Sequence, residues 1–228
     1  MNQSSYIIVG AGASGLLLAY RMSLDSYFDD KSILIIDQVK DKGNDKTWCY
    51  WEEGEGEWDE LLTKKWPKVF FGSKDFTETL DISPYSYKMI RSEKFYHKLW
   101  RSIELKSNIT FVEDSVKTYT EIDNRVKVVT NKSTYFGLKL LNSILDKTVY
   151  ETQQKYPVLQ QHFVGWFVKT KTDCFDDSIA TFMDFNIPQN GNTRFMYVLP
   201  IDKNIALFEF TLFSKDLLEH SEYEEAIK

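Results

Sequence analysis

Residues 5–24 read "SYIIVGAGASGLLLAYRMSL", and this stretch decides the fold. It begins with a short apolar run, passes through three glycines and ends with apolar residues at the spacing of a buried helix. A second apolar run, "KSILIID", follows at residues 31–37. The order of strand, helix and strand predicts a β-α-β unit.

The glycines between the first strand and the helix form the pattern GxGxxG, with Gly10, Gly12 and Gly15. In this pattern the first glycine permits a tight turn, the second admits a pyrophosphate close to the backbone, and the third lets the helix pack on the strand. The helix N-terminus adds amide donors and a positive dipole. Asp37 ends the second strand, where a carboxylate accepts from a ribose hydroxyl. An ordinary glycine turn is the alternative, but strand, helix and acid agree, so we predict a dinucleotide site that takes FAD or NAD.

Composition excludes several classes of protein. The chain has 228 residues with a net charge of −6 and no concentrated basic stretch, which argues against nucleic acid as a ligand. Cys49 and Cys174 are the two cysteines and have neither disulfide nor metal spacing, so we predict no metal site and a reducing, cytoplasmic compartment. No apolar run reaches the roughly 18 residues of a membrane-spanning helix, so any membrane contact is expected to be peripheral.

The pattern changes twice along the chain. Residues 40–82 are mixed, acidic and aromatic, residues 86–103 read as a strand end running into a helix, and four short strands follow, which indicates an FAD-type domain with an inserted meander. From about residue 160 onward, long alternating strands predict an antiparallel sheet. The predicted fold class is therefore α/β with α+β elements: an FAD/NAD(P)-binding Rossmann-like domain over residues 1–150 and an antiparallel-sheet substrate domain over residues 151–228.

Glu209 is the most informative acid. In "IALFEFTLF", residues 205–213, it shares a face with Leu207 and Thr211, and a carboxylate on such a face must be paired or protonated. Burial raises the pKa of a carboxyl and makes it a general acid near neutral pH. Asp184, in "TFMDF", is a second acid that could lie on a neighbouring strand. The pattern leaves open that Glu209 faces solvent at a sheet edge and that Asp184 merely ends its strand.

A succession of short strings runs through nearly the whole chain in a characteristic order. They are "VGAGASGL" at 9–16, "NDKTWCYWE" at 44–52, "YSYKMIRSEKFY" at 85–96, "LLNS" at 140–143, "LQQHFVGWFV" at 159–168, "TFMDF" at 181–185, "FMYVLP" at 195–200 and "LFEFTLFS" at 207–214. In order and spacing they resemble the lycopene β-cyclase family of flavoproteins.

This resemblance implies a non-redox reaction on lycopene or a related acyclic carotenoid. A proton is added to the terminal double bond, the carbocation closes a ring, and a ring proton is lost to leave a β-ionone ring. It also implies bound FAD in its reduced form, NAD(P)H as the reductant, and peripheral association with the inner membrane. Glu209 matches the first acid of the family's paired-acid motif, in which the second acid is here Phe210, and Asp184 matches the family's "MDF" acid with a supporting role.

Two further readings remain open beside the cyclase. One is a related flavin oxidoreductase, such as a prenyl reductase or aromatic hydroxylase, and the other is an inactive flavoprotein fragment. Family members are expected to continue beyond Lys228 with a second glycine-rich segment, so the resemblance implies an N-terminal fragment. The aromatics of "NDKTWCYWE" either line a substrate cavity or pack the insertion onto the flavin domain. We assign no role to the three histidines, His97, His162 and His220.

Overall fold

The computed structural model describes residues 3–145, 148, 152 and 154–228. The chain forms two compact units, one from Met1–Lys46 with Arg91–Lys147 and the other from Thr47–Ile90 with Thr148–Lys228. The strands and helices are, in chain order, β1 (Gln3–Val9), α1 (Ala13–Leu24), β2 (Ile33–Asp37), β3 (Thr47–Glu53), β4 (Leu62–Trp66), β5 (Lys68–Ser73), β6 (Phe76–Asp81), β7 (Tyr85–Arg91), α2 (Ser92–Ile103), β8 (Ile109–Glu113), β9 (Val116–Ile122), β10 (Arg125–Thr130), β11 (Thr134–Asn142), β12 (Gln160–Lys169), β13 (Ile179–Asp184), β14 (Thr193–Asp202), β15 (Ile205–Ser214) and α3 (His220–Ile227).

The first unit contains a six-stranded sheet in the order β8-β2-β1-β11-β10-β9. The four strands β8, β2, β1 and β11 run parallel, and β10 and β9 continue the sheet as an antiparallel meander. Parallel strands are covered on both faces, which explains why β1 and β2 are near-continuous apolar runs with Ile7, Ile8 and Ile35 completely buried. The predicted β-α-β unit and the predicted meander are both present.

Helix α2 of the first unit is amphipathic and buries one of its faces. Phe95, Leu99 and Ile103 recur every four residues and are buried, while the opposite face is charged. This spacing gives one apolar stripe, and α2 packs against α1.

The second unit contains two sheets that pack face to face. A six-stranded sheet has the order β12-β15-β14-β13-β5-β6, and a three-stranded sheet has the order β3-β7-β4. A buried cluster joins them and includes Trp66 of β4, Met89 of β7 and Leu207 of β15. On its other face the large sheet carries Phe210 and Leu212, which pack with Tyr223 of α3.

The unit to which residues 47–90 belong differs from the one given by the sequence-based domain boundary at residue 150. They form β3 to β7 and belong to the second unit, whereas the sequence analysis assigned them to the first domain as a mixed insertion. The large sheet is also mixed and not wholly antiparallel, because β5 pairs parallel with β13. Strand pairing over such sequence distances leaves no local signature, so periodicity alone did not indicate it.

Candidate functional site

The glycine turn between β1 and α1 has the geometry of a phosphate cradle. Gly10 has φ +94, a conformation that favours glycine. A Cβ on Gly15 would lie 1.9 Å from the carbonyl oxygen of Gly10, so only glycine lets α1 approach the turn. A Cβ on Gly12 would meet nothing within 4 Å. Of the three glycines, Gly12 is therefore the one that borders open space.

The N-terminus of α1 suits an anionic ligand. Gly12 is the N-cap residue, and within the described residues no side chain caps this helix and no acid occupies its first turn. The first turn of α1 therefore contributes neither a capping side chain nor a carboxylate of its own at the positive end of the helix dipole. The residues present fit a pyrophosphate group.

Asp37 lies beside this turn, at the end of β2. Its Oδ2 accepts from the amide of Ala11 at 2.5 Å, and its Oδ1 accepts from Nζ of Lys42 at 2.9 Å. Burial alone would raise the pKa of Asp37, but these bonds outweigh it and hold the pKa below its ordinary value. Asp37 is consequently ionised at neutral pH and fixes the glycine turn, with acceptor capacity left for a ribose hydroxyl.

Ser143 completes the cradle and was singled out only as part of "LLNS" in the sequence analysis. It follows β11, and its Oγ lies within hydrogen-bond reach of the carbonyl oxygens of Val9 at 2.9 Å and Gly10 at 3.2 Å. A Cβ on Gly10 would lie 2.3 Å from this Oγ. A side chain on Gly10 would therefore collide with Ser143, in addition to the strain of its positive φ.

Glu209 occupies an interior strand of the second unit. In the large sheet β15 lies between β12 and β14, and Glu209 is directly opposite Gly165 on one side and Tyr197 on the other. The alternative that Glu209 lies at a sheet edge is wrong. Burial raises the pKa of the Glu209 carboxyl, and the Thr211 hydroxyl, 3.4 Å from Oε1, opposes that rise only in part.

The stretch "NDKTWCYWE" contributes β3, whose Cys49 belongs to the same neighbourhood as Glu209. Burial raises the pKa of Cys49 to about 12, and the charge of Glu209 adds to this rise. Burial likewise raises the pKa of Tyr197 to about 12, again with a contribution from Glu209. Tyr87 of β7 is buried, shares a side-chain hydrogen bond with Cys49, and also has a raised pKa. All three groups are neutral at physiological pH, so they add no counter-charge to Glu209.

Aromatic rings continue this neighbourhood. Tyr87 lies 4.8 Å from Trp51 and 5.5 Å from Phe182 between ring centroids, and Phe182 lies 6.0 Å from Tyr197. We call the four aromatic residues Trp51, Tyr87, Phe182 and Tyr197, together with the neighbouring Cys49, the aromatic cluster. Trp51 is its most exposed member, at 43%.

Asp184 is not part of this neighbourhood. It lies on β13, two strands from β15, and directly opposite Met196, which is itself opposite Phe210. Residues directly opposite share a face and successive residues alternate, so Asp184 shares the face of Phe210 and not that of Glu209. The reason is a register shift in β13 between Thr181 and Asp184. The Asp184 Oδ1 accepts from the amide of Asn186 at 3.0 Å.

The site therefore joins Glu209 to Trp51, whose role the sequence analysis left open between cavity lining and packing, and to Cys49, Tyr87 and Tyr197, to which it assigned no site role. Cys49 and Trp51 alternate along β3 and so share a face. The sequence analysis singled out both only as members of the string "NDKTWCYWE". The spacing of residues in the sequence did not indicate Tyr87 or Tyr197. The two tyrosines come together only because the three-stranded sheet, which contains β7, packs on the six-stranded sheet, which contains β14.

His162 has a structural role that sequence reasoning missed. Its Nε2 lies 2.8 Å from Ser214 Oγ, and its Nδ1 lies 2.6 Å from the Tyr223 hydroxyl. Ser214 Oγ donates to the carbonyl of Asp216, so it accepts from Nε2, and Nδ1 is left to accept from Tyr223. Burial lowers the pKa of His162 and favours this neutral form. The network attaches α3 to the large sheet.

The described residues contain neither a bilayer-spanning helix nor a cluster of metal-ligating side chains. No helix there combines the length and the apolar content needed to cross a bilayer. No group of three or more His, Cys, Asp or Glu side chains in the described ranges is arranged to hold a metal ion.

Comparison with solved structures shows the fold. A geranylgeranyl bacteriochlorophyll reductase-like protein from Thermoplasma acidophilum matches with a TM-score of 0.69 and 11% identity, over 100% of this chain and 61% of that one. A flavoprotein/dehydrogenase from Cytophaga hutchinsonii matches with a TM-score of 0.61 and 11% identity, over 98% and 57%. The halogenase PltM, solved with phloroglucinol and FAD, matches with a TM-score of 0.62 and 11% identity, over 98% and 56%. The chain thus spans about three fifths of these proteins.

These matches define the class as proteins with the FAD/NAD(P)-binding Rossmann-like fold, to which the α/β architecture and the glycine turn also point. No curated protein sequence matches the chain. The family model described as lycopene cyclase protein matches residues 6–228, so the chain belongs to the lycopene cyclase family.

Proposed function

We propose that this protein is a flavin-dependent carotenoid cyclase that closes the ψ end groups of lycopene to β-ionone rings. The observation that carries the proposal is the position of Glu209, a half-buried carboxyl of raised pKa on an interior strand beside the aromatic cluster. Membership of the lycopene cyclase family supports the choice of substrate.

Glu209 would act as the general acid and then as the base. Burial raises the pKa of the carboxyl and so favours the protonated form, which would transfer its proton to the terminal double bond of the substrate. A C–H bond forms, ring closure makes a C–C bond, and loss of a ring proton to the Glu209 carboxylate restores both the acid and a double bond. Substrate and product are isomers, so this sequence requires no net oxidant.

The aromatic cluster would stabilise the carbocation and exclude water. The face of an aromatic ring stabilises a desolvated cation by about 0.5 to 2 kcal/mol. Cys49, Tyr87 and Tyr197 are neutral at the working pH, so none of them competes with Glu209 as a base. Asp184 would have at most an indirect supporting role, since its face of the sheet is not that of Glu209.

FAD in its reduced form is the proposed cofactor, with NAD(P)H as the reductant. Gly10, Gly12 and Gly15 with the N-terminus of α1 would hold its pyrophosphate, and Asp37 would bind its ribose. When bound, reduced flavin supplies electron density that stabilises a developing cation. A lipid-dissolved substrate favours a cytoplasmic protein with peripheral contact to the inner membrane.

The test is to express the chain in a bacterium that accumulates lycopene and to analyse the extracted pigments by chromatography and mass spectrometry. We expect products of unchanged mass with β rings. Unchanged lycopene in cells that contain soluble, flavin-loaded protein would contradict the proposal. A product two mass units heavier would instead support the flavin oxidoreductase alternative.

A further inference from the structure

Gly165 is the neighbour of Glu209 on the edge strand of the large sheet. It lies on the edge strand β12, directly opposite Glu209, and is exposed. It is the one glycine in β12. The two neighbours that share its face, Phe163 and Phe167, are 56% and 48% exposed.

The backbone does not require a glycine at this position. Positive φ values occur at other glycines of the chain, and Gly165 is not among those of the described residues. An extended glycine in a strand costs conformational entropy and gives up side-chain packing. The reason for Gly165 is therefore the space that it leaves and not a special conformation.

That space borders the side chain of Glu209. A Cβ on Gly165 would lie 3.6 Å from Glu209 Cγ, 3.5 Å from the carbonyl oxygen of Phe208 and 3.2 Å from Leu207 Cδ1. A methyl group would fit with a small shift of a flexible leucine end. A longer side chain would extend alongside Glu209 and cover it from the edge of the sheet.

We propose that Gly165, between Phe163 and Phe167, forms the port through which the apolar end of the substrate reaches Glu209, and that it is a specificity-determining residue. The inference rests on the proposed function, because it assigns the port to the acyclic isoprenoid end group that Glu209 would protonate. The two exposed phenylalanines suit such a ligand, since covering them with an isoprenoid removes apolar surface from water. A polar substrate would gain nothing from them.

The test measures access to Glu209 directly. Dicyclohexylcarbodiimide is an apolar reagent that modifies protonated carboxyl groups, and mass spectrometry of the peptide that contains residue 209 gives the rate of modification. We expect Gly165→Leu to slow the modification at least about tenfold, which corresponds to about 1.4 kcal/mol in the barrier. The matched control is Gln161→Leu, which adds the same side chain to the same face of β12 opposite Phe213 and should leave the rate unchanged. Glu209→Gln identifies the labelled site.

If the Gly165→Leu variant does not fold, the Gly165→Ala variant replaces it in the same measurement. We expect Gly165→Ala to slow the modification of Glu209 by about threefold. Equal rates in the parent chain and in the folded Gly165 variants would overturn the port, as would an absence of label on Glu209 in the parent chain. Pigment analysis in lycopene-accumulating cells separates the two proposals. A parent chain that makes no β rings contradicts the proposed function, whereas an active parent with an equally active Gly165→Leu variant contradicts the port alone.

Discussion

The glycine turn and the neighbourhood of Glu209 are built in opposite ways. Most of the turn comes from residues 9–37, which are close in sequence, and its contacts join the side chains of Asp37 and Ser143 to backbone groups. The neighbourhood of Glu209 comes from β3, β7, β13, β14 and β15 in two different sheets, and its contacts run through side chains. A site built from residues close in sequence can be predicted from their spacing. A site built from several distant strands, such as the neighbourhood of Glu209, forms only when those strands have paired.

The largest effect is expected at Glu209. Glu209→Gln keeps the shape of the side chain but removes the transferable proton, so cyclisation should fall by about a thousandfold or more, to below detection in cells. Flavin absorbance of the purified variant should be unchanged, because Glu209 belongs to the second unit and the glycine turn to the first. Asp184→Asn is the matched control, for which pigment analysis should show a much smaller loss. Equal losses in the two variants would remove the distinction between the faces.

Alanine substitutions at the second and third glycines of the turn should have different effects. Gly15→Ala places a methyl group 1.9 Å from a backbone oxygen, so we expect it to destabilise the fold by about 3 kcal/mol in denaturant titration. Gly12→Ala meets nothing within 4 Å and should leave stability unchanged while weakening FAD binding about tenfold, as measured by flavin fluorescence. Unchanged FAD affinity in Gly12→Ala would show that the open side of this glycine does not face the pyrophosphate.

The two cysteines offer a test that needs neither substrate nor flavin. Cys49 is partly buried, with its pKa raised to about 12, whereas Cys174 is exposed. Because the thiolate is the reactive form, an aromatic disulfide reagent should modify Cys174 at least about tenfold faster than Cys49 in the folded protein. Cys174→Ser leaves Cys49 as the sole thiol for the measurement, and denaturant should abolish its protection. Fast reaction of Cys49 in the folded variant would contradict its place in the aromatic cluster.

The smallest expected effect is a pH dependence at His162. Its pKa is lowered by burial, so the unfolded chain binds a proton more readily than the folded one. Stability from this residue is therefore complete above the unfolded pKa of about 6.5 and falls as the pH drops toward the lower, folded value. Thermal unfolding between pH 7.5 and pH 5.5 should show this loss, and His162→Gln should reduce it. The same slope in both proteins would exclude His162 as its source.

The first unit was largely predictable because its signals are local. The run "SYIIVGAGASGLLL" carries a buried strand, a glycine turn and a buried helix in direct succession, and the structure has them as β1, the turn and α1. The strands β8 to β11 and the helix α2 were also predicted from periodicity and turn residues. Ser143 was not assigned to the cradle, since only the parallel pairing of β11 with β1 brings it to Gly10.

The second unit shows where such reasoning ends. The alternation in "IALFEFTLF" predicted correctly that Glu209 shares a face with Leu207 and Thr211, but not what lies opposite that face. A register shift moves Asp184 to the other face, and a one-residue shift of this kind reverses every side chain beyond it. "NDKTWCYWE" was interpreted as a lining of the cavity or as packing on the flavin domain. The structure places its β3 in the second unit, where the charge of Glu209 acts on Cys49.

The sequence by itself determined the α/β class, the Rossmann-like turn with its three glycines and Asp37, and the choice of Glu209 as the acid to watch. Each of these depends on residues a few positions apart, where spacing dictates geometry. Only the tertiary structure decided that Glu209 has Cys49, Tyr87 and Tyr197 as neutral neighbours, and that Gly165 of the edge strand lies directly opposite it. These features depend on the pairing of strands that are distant in the chain, and that pairing is set by the packing of the whole unit.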